Sequence, residues 1–69
     1  MEPTIGRIVH FHAGDGIDRP AIITHVWETC VNLSIFNDGS HEPNAPAVVY
    51  ATSVVEGLEV GQWSWPVIE

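Results

Sequence analysis

Lysine is absent from this chain, and arginine occurs only as Arg7 and Arg19, against nine acidic residues, for a formal net charge of -7 at pH 7. That balance excludes tight binding to long DNA or RNA, which draws on several cationic contacts to phosphate. It equally disfavours an anionic membrane surface. The lone cysteine, Cys30, permits neither an internal disulfide nor a cysteine-rich zinc site, and it suits a reducing compartment. No apolar run reaches the ~20 residues a membrane span needs. The opening MEPTIGR lacks the basic and then apolar profile of a signal peptide. A cytoplasmic protein, without membrane or long nucleic-acid partners, is the expectation. Sustained helical periodicity is missing as well, so the chain reads as all-β.

What is present is a high apolar load for a small body. Sixty-nine residues make one domain, spanning 1–69, of which 45% are hydrophobic. Such a chain is near the lower size at which one core offsets chain entropy. Some apolar surface should stay exposed on a single copy, so a homo-oligomer is expected.

The β segments follow in order. TIGRIVHFH is rich in β-branched and aromatic residues and ends at the glycine-bracketed turn AGDG, so Ile5 to His12 reads as a strand. RPAIITHVW is the second, opening on a proline where the ladder has not begun. In VNLSIF, Val31, Leu33 and Ile35 alternate with Asn32 and Ser34, which makes one face core and the other wet. NDGSHEPNAP is turn and loop. AVVYATSVV resumes the pattern from Ala47, EGLEVG reads as tight turns, and QWSW, stopped by Pro66, reads as a closing strand. Five short strands with glycine turns between them suit a small antiparallel SH3-like barrel. Trp63 and Trp65, two residues apart, then share a face of the last strand and cap the barrel's open end.

Four histidines draw the first functional question. His10 and His12 share a strand face, and His25 approaches them if the second strand pairs with the first. A closed metal site needs further ligands that nothing here fixes, so no metal or other cofactor is expected. No nucleophile motif surrounds Cys30 or the serines, and GDG at 14–16 precedes no helix, so it reads as a turn rather than a phosphate cradle. The chain is expected to be no enzyme.

Arg7 and Arg19 remain as anion contacts, Arg19 more so because it sits beside the loop at the strand mouth. The plainer reading pairs each of the two with Asp15, Asp18 or Glu28. Trp27, Tyr50, Trp63 and Trp65 offer flat faces for stacking a base or packing a peptide. Arg7, His10, His12, Arg19, Trp27, Tyr50, Trp63 and Trp65 are therefore the candidate ligand-binding residues.

Taken together, IGRIVHFH, RPAIITHVW, VNLSIF followed by DG, and the terminal WSWP resemble a widespread family of short phage and prophage proteins, in which similar segments recur in this order. The likeness spans most of the chain and loosens from Ser40 to Ala47. It speaks for scaffold more than for site. The group is also similar to anti-CBASS sponges, small oligomers that sequester cyclic oligonucleotide signals of host defence. That resemblance implies a small anionic nucleotide ligand bound without catalysis at subunit boundaries, in the cytoplasm of the infected host. The competing expectation is a protein-interaction module, such as an SH3-like adaptor or an inhibitor of a host factor, or a minor phage structural component.

Overall fold

Five strands form, in chain order β1 (Ile8–His12), β2 (Asp18–Val26), β3 (Val31–Phe36), β4 (Val48–Val54) and β5 (Trp63–Ser64). The computed structural model describes residues 2–39, 44 and 46–66, and no helix occurs among them. The strands pair antiparallel in one sheet of order β4-β3-β2-β1-β5. This is the small five-stranded all-β domain expected. Its ladder does not close along its length, because the edges approach at one isolated parallel bridge between Glu56 and Trp63. There the Trp63 N–H donates to the Val55 carbonyl at 3.1 Å, and the Gly57 N–H donates to the Trp63 carbonyl at 2.8 Å.

β2 and β4 differ from the sequence reading by one residue at each end, and β2 begins at Asp18, so Pro20 lies inside the ladder opposite His10 rather than ahead of it; β1 and β5 differ more. The first strand begins at Ile8 rather than Ile5, because a turn intervenes: the Arg7 N–H donates to the Thr4 carbonyl at 3.2 Å, and Gly6 takes φ 92°, a conformation open to a residue without Cβ. The last strand is two residues long. The glycine-bracketed AGDG turn is as expected. Asp15 Oδ1 accepts the Ile17 N–H at 2.9 Å, and the Gly16 N–H donates to the Ala13 carbonyl at 3.1 Å.

One sheet face makes the core. Val9, Ala21, Ile23, Leu33 and Ile35 alternate along β1, β2 and β3 and are buried together with Val31, Val54 and Trp63. Each such side chain contributes on the order of 1.5–3 kcal/mol when taken fully out of water. Asn32 corrects the simple alternation. It was read as wet but is buried, because the register shifts beside it, between Val31 and Leu33. Its Oδ1 accepts the Trp27 indole N–H at 2.8 Å and the Ser53 N–H at 3.1 Å. A buried carboxamide is tolerated when its acceptor is used in this way. Ser53 in turn has φ 57°, the left-handed region that side chains avoid.

The opposite face is mixed, with exposed apolar side chains beside His10, His12, Asp18 and Ser64. Register aligns Ile8, Ile22, Ser34 and Tyr50 across four strands, and Pro20, Phe36 and Val48 in the next row. Ile8 is 61% exposed and Tyr50 63%.

Candidate functional site

The candidate residues fall into four places on this sheet. At the β1 end, His12 stands between two strands. Its Nδ1 lies 2.8 Å from Asp18 Oδ1 on β2, and its Nε2 lies 2.9 Å from Ser64 Oγ on β5. His10 Nδ1 is 3.8 Å from the other oxygen of the same carboxylate. Pairing of His12 with Asp18 and of His10 with Ser64 places these groups side by side. Carboxylate, imidazole and hydroxyl stand in line, as in an activated serine. However, Asp18 is 47% exposed and Ser64 lines neither of the two cavities described below, so the line reads as a cross-strand tie. His25 does not join it. β2 carries His25 past the β1 pairing toward Trp27, and the two rings meet at 4.2 Å, tilted by 59°. Among the described residues no group of three or more His, Cys, Asp or Glu side chains is arranged to hold a metal ion.

Arg19 is buried, and its donors are turned inward. Nη2 donates to Asp15 Oδ2 at 2.6 Å, Nη1 to the Ile17 carbonyl at 2.7 Å, and Nε to Asn37 Oδ1 at 3.0 Å. Asn37 Nδ2 passes the link on to the Pro46 carbonyl at 2.9 Å. The guanidinium thus knits the β1–β2 turn to the loop after β3. A cavity of about 220 Å³ opens beside it, lined also by Asp18, Pro20, Phe36, Asn37 and Asp38. Its carboxylates suit a cation or a hydrogen-bond donor better than phosphate. Asp15 is one of the three acids weighed as a partner from sequence, and the spacing from Asp15 to Arg19 across a tight turn was the readable signal.

Arg7 differs. It is exposed, just ahead of β1, with its guanidinium carbon 5.6 Å from the centroid of the Trp65 ring. Trp65 is half-buried and meets the fully buried Trp63 edge-on, with centroids 5.2 Å apart at 85°. The pair therefore lies together as expected, with Trp63 in the core and Trp65 as its cover.

The fourth place is a cavity of about 200 Å³ lined by Pro3, Trp27, Glu28, Cys30, Glu56 and Trp63, among others. Trp27 is 51% exposed at its rim. The buried Trp63 Nε1 has no hydrogen-bond partner. Tyr50 is remote from this place, on the outer face beside β3. The four aromatic residues therefore do not converge on one pocket. Asn32, Asn37 and Ser64 were invisible as site residues in the sequence, since each acts on a partner brought close only by strand pairing.

Comparison with family models, with curated proteins and with solved structures returns no match.

Proposed function

We propose that the chain works by binding alone, as a homo-oligomer that sequesters a small nucleotide-type anion of the cyclic oligonucleotide class at the boundary between subunits, without turnover. The observation that carries this reading is Arg7 held over Trp65, an exposed cation beside an aromatic face in a chain with two cations in all. Guanidinium and ring together are the groups that take a phosphate and a stacked base. Arg19, committed to Asp15, supports the loop framework in this reading rather than the anion. The exposed apolar side chains Ile8, Phe36, Val48 and Tyr50 of the outer face support assembly, which multiplies the scarce Arg7 sites. The test is thermal stabilisation by a panel of cyclic dinucleotides, since a ligand at 100 times its Kd adds about 2.7 kcal/mol. Stabilisation that disappears in Arg7→Gln supports the reading, and a flat panel ends it.

A second reading has its own observation. Glu28 and Glu56 flank the cavity between Trp27 and Trp63. Acidic groups and the half-exposed flat ring of Trp27 suit a basic, extended peptide, as in a protein-interaction module. A flat nucleotide panel together with saturable binding of an arginine-containing proline-rich peptide, lost in Trp27→Ala, favours this module.

A further inference from the structure

β4 is an edge strand whose bulge lies only at its far end, where Leu33 pairs with Ala51 and Val31 with Val54, so the stretch before it carries no such protection. Val48–Val54 reads VVYATSV, seven residues without a charge, a proline or a glycine, in a chain of net charge -7. Edge strands normally carry such residues to prevent pairing with another chain. Every residue from Val48 to Tyr50 is exposed, on both faces of the sheet.

The ladder shows which backbone groups look outward. The Asn37 N–H donates to the Ala47 carbonyl at 2.8 Å, and the same register pairs Ile35 with Val49 and Leu33 with Ala51. Antiparallel pairing alternates up to the register shift after Ala51, so Ala47, Val49 and Ala51 bond to β3, while Val48 and Tyr50 direct their N–H and C=O groups to the free edge. The opposite edge of the sheet offers no equivalent. β5 has two residues, and Trp63 is already bonded on its far side to Val55 and Gly57. The described residues therefore hold one long free edge.

We propose that this edge takes the β4 strand of a second copy of the chain, antiparallel about a two-fold axis at Tyr50, so that the outward backbone groups of Tyr50 meet those of the other copy's Tyr50. A neutral strand is the one part of so acidic a surface that two copies can bring together without repulsion. One long free edge, as the described residues have, closes at a dimer, whereas two would lead to a fibre. The outer-face row of Phe36, Val48 and Tyr50 becomes continuous across the axis. This inference rests on the proposed function only for the statement that the chain self-associates.

The test uses the full chain without nucleotide, with mass read by light scattering from 1 to 100 µM. The expected mass is twice that of the chain, or an even multiple of it. Tyr50→Pro removes an outward N–H and no bond to β3, a position where edge proline is tolerated. It is expected to keep a cooperative melt and to raise the dimer dissociation constant at least 100-fold. Tyr50→Lys sets two like charges at the axis without touching the backbone, and it is expected to act in the same direction. A wild-type mass of one chain at 100 µM overturns the proposal, as does a doubled mass that survives both substitutions. Cyclic dinucleotide binding is measured separately: a flat panel with the mass still doubled removes the nucleotide reading and leaves the interface, and binding by a monomer does the reverse.

Discussion

His12 and Ser64, 52 residues apart in the chain, meet through imidazole Nε2 and hydroxyl at 2.9 Å, and the same ring turns Nδ1 to Asp18. A two-residue strand has little ladder of its own, and this side-chain tie runs across the strand that holds it. Removing the ring in His12→Ala is expected to cost about 1–2 kcal/mol, in line with two modest hydrogen bonds. Denaturant titration checks the total. Hydrogen exchange at the Trp63 and Ser64 amides should accelerate more than exchange at the β3 amides, and an even loss across the sheet would count against the tie.

The same line of groups allows a direct check on chemistry. Fluorophosphonate is expected to leave Ser64 unmodified, by mass spectrometry of the intact chain. Labelling of Ser64 that vanishes in His12→Ala would instead make it an activated nucleophile.

Trp63 fills the core at 2% exposure and carries Trp65 on its edge. Trp63→Ala is expected to cost about 3–5 kcal/mol, a large part of what so short a domain can hold. A chain ending at residue 62 should show no cooperative melt by circular dichroism, and a sharp transition in that truncation would refute the closing role of β5.

Arg19→Met tests the buried guanidinium. Asp15 would keep its charge and lose its partner, Asn37 would lose its donor, and the expected loss is about 2–3 kcal/mol, reduced from the fully buried case because Asp15 is 31% exposed. Stability by urea titration should fall while cyclic dinucleotide affinity at matched folded fraction stays unchanged, whereas Arg7→Gln should show the opposite pattern.

Ser53 is held at φ 57°, where glycine is at no disadvantage. Ser53→Gly is expected to raise stability by up to about 1 kcal/mol, the strain relief being set against the added freedom of the unfolded chain. A lowered urea midpoint would show that the Ser53 side chain contributes more than its backbone costs.

Much of this fold was legible before any coordinates. VNLSIF became β3 with the bounds that its alternation marks, because a strand with one buried face writes a period of two into its sequence. The AGDG turn was equally plain, since glycine and an aspartate that bonds its own backbone are local devices. Asn32 was misread for the same reason that Leu33 was read correctly. Alternation holds until a register shift, and the shift depends on Ser53, a residue on another strand. The β-rich run from Ile5 hides the turn at Gly6, so the first strand starts three residues later than its composition suggests.

The composition and periodicity of the chain, then, settled that it is a small all-β domain, acidic, with apolar residues to spare, because burial and charge are sums over residues and pleat alternation is local. Only the tertiary structure decided that Arg19 serves Asp15 while Arg7 faces outward over Trp65, that His12 joins Asp18 and Ser64 rather than His25, and that β4 stands at one end of the strand order. These depend on which strands become neighbours and in what register, and a shift of one residue would send each of these side chains to the other face of the sheet.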